Sequence, residues 1–148
     1  ASDAQGAKRP RPRWLPLESN PDVLNGFLAR VGVEGGPTFI DVLGLDDCLL
    51  AMVPQPALAV CLLFPSKPIR KPRLDALAAR PEAPDAPAST FYLVQHKIFG
   101  NACGTIAAVH AVANLARAGR LRLRERSPME RFLEDVAALS PSDAGFAL

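Results

Sequence analysis

Ala57-Leu58-Ala59-Val60-Cys61-Leu62-Leu63-Phe64 is the longest apolar run in the chain. It has the length of a strand and falls far short of the ~20 residues a membrane span needs. Its apolar residues do not alternate with polar ones, so neither face can be left to water. The run therefore predicts a strand covered on both sides, and a central strand with helices on each side is the simplest architecture around it. Pro54 and Pro65 bracket it, as proline must where it is kept out of a strand interior. With 15 prolines in 148 residues, about twice the ~5% average, such punctuation divides the whole chain.

Upstream, Asn20-Pro21-Asp22 is a helix start, with a capping amide, proline at the first helical position and an acid in the first turn. Val23, Leu24, Phe27, Leu28 and Val31 follow at helical spacing, and Gly32 ends the pattern. Thr38 to Leu43 reads as a short strand, and Asp46 caps a short helix over 47–53. Downstream, residues 65–89 place Pro65, Pro68, Pro72, Pro81, Pro84 and Pro87 among Lys, Arg, Ala and Asp. Some helical pattern survives at Leu74 to Ala79, but the composition predicts an exposed loop. Phe91-Tyr92-Leu93-Val94 is a strand by composition, followed by a small-residue helix from about Cys103 to Asn114. Arg117 to Arg126 reads as a solvated turn or helix face. Ser127-Pro128-Met129-Glu130 is a capping box opening a helix with Phe132, Leu133, Val136 and Leu139 on its apolar stripe. Ser140-Pro141-Ser142-Asp143 repeats the start signal near the last residue, which suggests a chain cut short.

Composition sets the class. At 49% apolar and 22% charged the chain can bury a core. A net charge of +2 is too small for a general binder of nucleic acid or acidic membrane, so neither is expected as a partner. Residues 1–13 carry Lys8, Arg9, Arg11 and Arg13 without an apolar cluster and predict a solvated, disordered tail. Cys48, Cys61 and Cys103 make an odd number without paired spacing. That argues against a disulfide framework or zinc site, and for a cytoplasmic or nuclear protein without metal or cofactor. The first residue is Ala1 and no signal peptide is visible, so the sequence is expected to begin inside a longer product. Cys48 and Cys61 lie on apolar stretches and read as core.

Cys103 is the candidate for chemistry. It stands between a predicted strand and the first turn of a helix, flanked by Asn101 and Gly104. A helix start offers unpaired N–H groups and the positive end of the macrodipole, a setting that stabilises negative charge on sulfur or on an attacked carbonyl oxygen. Gly104 would let a substrate backbone come close. On spacing alone the plainer reading is a small buried hydrophobe entering a helix.

Longer motifs change the balance. Arg13-Trp14-Leu15-Pro16-Leu17-Glu18-Ser19-Asn20-Pro21 resembles the opening of the ubiquitin carboxyl-terminal hydrolase family. The likeness continues through Phe39-Ile40-Asp41-Val42, Leu50-Ala51-Met52-Val53-Pro54 and Ala59 to Pro65. It culminates in Asn101-Ala102-Cys103-Gly104-Thr105-Ile106, with His110-Ala111-Val112-Ala113-Asn114 downstream. The resemblance implies an α+β fold, the α/β/α sandwich of a papain-like cysteine protease. Residues 14–148 would be the N-terminal portion of the catalytic domain, with 65–89 its proline-rich loop. The implied protein is a monomer whose partners are ubiquitin and its adducts, and which hydrolyses bonds to ubiquitin's terminal glycine.

The resemblance places Cys103 on the family's nucleophile and Gln95 on its oxyanion donor, a neutral amide where negative charge develops. The register is open: the family has six positions between those residues where this chain has eight. A two-residue insertion within His96 to Gly100 keeps Gln95 in place; ungapped counting substitutes Lys97. Pro16 and Leu17 would meet ubiquitin's apolar patch or else pack in the core, and Trp14 would anchor their segment. The family's catalytic histidine and its orienting aspartate lie in a later segment that this sequence lacks. His110 is two helical turns from Cys103, about 10 Å along the axis, and reads as packing; His96 matches no catalytic position. The resemblance thus implies a nucleophile without its base, and the alternative is a remnant that binds ubiquitin without cleaving it. A third reading is a fragment that does not fold, its sheet edges and apolar faces left open.

Overall fold

The computed structural model describes residues 13–79 and 89–148. The basic tail and the part of the proline-rich loop at 80–88 fall outside the described residues, except Arg13.

The first helix, α1 (Pro21–Val31), forms where its signals place it. Asn20 accepts the Asp22 N–H at 2.8 Å, and Gly32 closes the helix in the left-handed region at φ 104°. Gly32 is held further: its carbonyl accepts from Arg124 N at 2.7 Å, and a Cβ there would lie 2.1 Å from Ser127 Cβ. This junction joins α1 to a two-stranded antiparallel ribbon, β1 (Val33–Glu34) with β2 (Arg122–Leu123), in the register Val33 with Leu123. The arginine-rich turn is therefore partly a strand. Its leucines face inward, with Leu121 buried and Leu123 half-buried, while Arg120, Arg122 and Arg124 alternate outward.

A four-residue helix, α2 (Asp47–Leu50), follows Asp46, whose side chain makes no cap bond. Thr38–Leu43 forms no strand, contrary to expectation; Asn25 of α1 holds it through both its amide atoms on Phe39, at 2.7 and 3.0 Å. Residues 66–78 overturn an expectation. Where the prolines predict a loop, α3 (Ser66–Ala78) is a helix with Pro72 inside it, exposed at every residue whose burial is described. Pro68 falls in the first turn, where its missing N–H costs nothing. Lys, Arg, Leu and Ala favour helix in the rest, and Lys71 pairs with Asp75 one turn on at 2.8 Å.

The second half carries the core. Helix α4 (Cys103–Arg117) buries Ile106, Ala108, Val109, Val112 and Ala113. Around it pack Leu28 of α1, the segment Phe91–Leu93, Met129 of α5 (Pro128–Asp135) and Ala144 of α6 (Pro141–Ala147). Ser127 caps α5 by accepting from Glu130 N, and Ser140 caps α6 by accepting from Asp143 N at 3.2 Å. Glu130 completes its box one residue early, taking the N–H of Arg126.

The central strand departs most from expectation. Ala57–Phe64 forms no strand, and among the described residues it has no ladder partner; Leu58 is half-buried, but the rest of the run is exposed, Val60 at 83% and Leu62 and Leu63 at 79% each. Cys61 and, on α2, Cys48 are likewise exposed rather than core. The predicted strand does not form, and the two covered faces that the pattern requires depend on neighbours that the described residues do not supply.

Candidate active site

Cys103 is the first residue of α4 and its side chain is exposed. Ala102 precedes it in a helical conformation with no capping side chain, and the first α-type bond is Ile106 N to Ala102 O, 2.9 Å. The N–H groups of the first turn, Cys103 to Thr105, therefore lack intrahelical acceptors at the helix start that carries the thiol. They can bind an anionic oxygen beside it.

The approach to this helix start is built by the N-terminal segment. Trp14 N donates to Phe99 O at 2.9 Å, Trp14 bridges to Gly100 as a parallel strand would, and its ring lies 5.4 Å from that of Phe99. Phe99 is buried, so the anchor reaches the core. The segment then brings Leu17 onto the first turn of α4. A Cβ on Gly104 would lie 3.1 Å from Leu17 Cβ and 3.3 Å from Leu17 O. The close approach that Gly104 permits is thus that of Leu17, not a substrate backbone. Leu17 is half-buried there and Pro16 is exposed next to it.

Gln95 ends segment 91–95, which is not the predicted strand but an irregular segment pinned between α4 and α6. On the α4 side, Asn114 accepts from Phe91 N at 2.8 Å and donates to Phe91 O at 3.0 Å, while His110 Nε2 accepts from Leu93 N at 3.1 Å. On the other side, Val94 N donates to Pro141 O at 2.8 Å, and His96 Nε2 lies 2.8 Å from Ser142 O. The His96 ring stacks on Phe146 with centroids 3.5 Å apart. Gly145 makes this docking possible, because a Cβ there would lie 2.0 Å from Val94 O. Gln95 itself is exposed between these fixed neighbours. Lys97–Phe99 forms a single 3-10 turn after it, with Lys97 pointing to solvent.

Both histidines are engaged away from Cys103. Sequence reasoning reads His110 as packing, and its ring stacks on Tyr92 with centroids 5.2 Å apart. The roles of Asn114 and His96 were missed. For Asn114 a signal existed: an amide four residues after His110, on the same face of a small-residue helix. Nothing local marks His96, whose partners lie more than forty residues away. Among the described residues no cluster of three His, Cys, Asp or Glu side chains could hold a metal.

Burial holds the His110 pKa below its ordinary value, and accepting the Leu93 N–H requires a free Nε2 lone pair. The unfolded chain then binds a proton near pH 6.5 that the folded chain binds only at lower pH. Stability is therefore full above about pH 7 and falls as pH drops from ~6.5 through the lowered folded value. Urea midpoints from pH 7.5 to 5 should show this decline, and His110→Gln, which keeps an acceptor, should flatten it. Parallel declines in both proteins would refute the assignment.

Comparison with known proteins sets these features in a family. The family described as "Ubiquitin carboxyl-terminal hydrolase, family 1" matches residues 14–148. A "Ubiquitin carboxyl-terminal hydrolase" of Aplysia californica is 43% identical over 131 residues, covering 88% of this chain and 58% of the relative. "Ubiquitin carboxyl-terminal hydrolase 3" of Arabidopsis thaliana is 37% identical over 144 residues, 97% of this chain and 58% of the relative. "Ubiquitin carboxyl-terminal hydrolase isozyme L1" of Homo sapiens is 39% identical over 132 residues, 86% and 56%. The chain thus spans a little over half the length of these relatives.

Proposed function

Because the chain belongs to ubiquitin carboxyl-terminal hydrolase family 1, a family of papain-like cysteine proteases with the α/β/α fold, we propose that it is the nucleophile-bearing part of a thiol-dependent deubiquitinase. The observation that carries this is the exposed Cys103 at the open start of α4, with Leu17 packed on the next residue. Sγ attacks the carbonyl carbon of ubiquitin's terminal glycine. The C–S bond forms, and the oxygen takes negative charge that the first-turn N–H groups and the Gln95 amide receive. Collapse expels the amine of the leaving group, and water then hydrolyses the thioester, freeing Sγ.

The proton of Sγ goes to a histidine, oriented by an aspartate, from polypeptide corresponding to the part of the relatives that this chain does not span. His96 and His110 are not assigned as that base: the Nε2 of each is engaged elsewhere, by Leu93 N and Ser142 O. Pro16 and Leu17 border the thiol, where they contact the apolar patch of ubiquitin. Three free, exposed cysteines suit a monomer in the reducing cytoplasm or nucleus.

A rate tests this reading. Ubiquitin carrying a C-terminal electrophile should label the chain at Cys103 at least ~100-fold more slowly than it labels the full-length Aplysia relative, since a general base contributes about 10²–10⁴. Equal rates would show that the chain holds its own base. The engagement of both histidines also favours a second reading, ubiquitin binding without turnover. Unchanged ubiquitin affinity in Cys103→Ala, with no hydrolysis by the unsubstituted chain even when the unmatched part of the Aplysia relative is supplied, would select it.

A further inference from the structure

We infer that the arginine face of β2 docks an acidic polypeptide segment in extended conformation, one that carries carboxylates on alternate residues. The inference rests on the geometry and charge of the ribbon and is independent of the catalytic reading. Arg117 to Arg126 holds five arginines in ten residues. One of them is committed within the fold, since the Arg117 guanidinium lies over the Phe91 ring, 4.9 Å from its centroid. The strand period sorts the others. Leu121 is buried and Leu123 half-buried, so Arg120, Arg122 and Arg124 stand exposed on the opposite face. Arg122 and Arg124 are two residues apart on a strand backbone, a Cα separation of about 7 Å.

This face is uncompensated. Among the described residues Arg120, Arg122 and Arg124 form no ion pair, and Arg126 has only Glu125, at 4.0 Å. Neighbouring carboxylates do not change this. Glu34 stands opposite Arg122 in the register without pairing with it, and Glu130 turns to the Arg126 N–H. Arg126 adds a second mark. Its φ of 56° is a left-handed backbone that glycine adopts freely and arginine rarely does. A strained residue on an exposed turn points to function.

Charge and spacing identify the partner. Guanidinium forks grip carboxylates through two parallel hydrogen bonds, and alternate side chains of an extended polypeptide recur at the same ~7 Å. A nucleic acid fits less well. Residues 117–131 contain no aromatic side chain on which a base could stack. A chain of net charge +2 also lacks the wide basic surface that phosphate backbones select. The face lies apart from the thiol, because Cys103 opens α4 and Arg117 closes it, about 21 Å along the axis. An acidic segment on β2 therefore leaves the start of α4 open.

Fluorescence anisotropy tests the inference with three labelled probes of similar charge. They are a peptide of six Glu-Thr repeats, a peptide of the same composition ordered Glu-Glu-Thr-Thr, and a thymidine oligonucleotide with six phosphates. In about 0.15 M salt the alternating peptide should bind at least ~10-fold more tightly than either other probe. Arg122→Gln with Arg124→Gln should weaken its binding by at least ~10-fold. Both side chains are exposed, so this variant should keep the thermal midpoint and the rate of Cys103 labelling by a ubiquitin electrophile. Lys67→Gln with Arg70→Gln removes the same charge from α3 and should not weaken binding. No binding of the alternating peptide, equal binding of the two peptides, preference for the oligonucleotide, or equal losses in the two double variants would each overturn the inference. Peptide binding by a chain whose Cys103 never reacts would leave it standing and remove the catalytic reading instead.

Discussion

Cys103→Ala is expected to abolish the covalent reaction with a ubiquitin C-terminal electrophile, a loss of at least ~10³ in rate, without changing the thermal midpoint by more than a degree or two. All three cysteines are exposed, so a small alkylating agent should modify each of them. The ubiquitin reagent is more selective because its electrophile is delivered only where ubiquitin docks. Cys61 lies on an exposed run and Cys48 within the four-residue α2; neither stands at the open start of a long helix beside Leu17. Cys48→Ser and Cys61→Ser should therefore react like the unsubstituted chain. Stability should survive because an exposed sulfur contributes little packing and alanine is the best helix former. Ubiquitin transfer that persists in Cys103→Ala would remove this residue from the mechanism.

Gly145→Ala carries the second large effect, and it acts through position rather than chemistry. The new Cβ would sit 2.0 Å from Val94 O and 3.1 Å from His96 Cδ2. A backbone carbonyl cannot step aside as a flexible side chain can, so α6 has to move away from the 94–96 segment. Val94 N then loses Pro141 O, and His96 loses both Ser142 O and the Phe146 ring. The expected cost is about 2–3 kcal/mol, a fall of roughly 1 M in the urea midpoint for m near 2–3 kcal/mol/M. The amide of Val94 should exchange much faster. Gln95 lies between the two released residues, so labelling at Cys103 should slow as well. Gly35→Ala is the control: no atom lies within 4 Å of its new Cβ, and only the cost of a positive φ, about 1 kcal/mol, applies. Equal midpoints for the two variants would contradict the account of α6 as the clasp on the Gln95 segment.

What the sequence makes legible is what neighbours in the chain decide. The caps at Asn20, Ser127 and Ser140 each bond within three residues, and all form as their types and spacings require. The open helix start at Cys103 is legible for the same reason, and the long motifs around it carry the family. Features decided by distant partners are not legible. His96 finds Ser142 and Phe146 through tertiary packing, and Asn114 replaces a neighbouring strand for Phe91 across the core. The helix at Ser66–Ala78 is hidden by its prolines, although Pro68 falls in the first turn. Ala57–Phe64 shows the limit most clearly. Its apolar pattern demands two covered faces, and no pattern within the run can say whether the cover belongs to the same polypeptide.

The most direct test of the central claim is a peptide map of the chain after reaction with the ubiquitin electrophile. The account predicts a single ubiquitin adduct, on the peptide that contains Cys103, formed slowly by the chain alone and faster when the unmatched part of the Aplysia relative is supplied. An adduct on Cys48 or Cys61, or none under either condition, would contradict it.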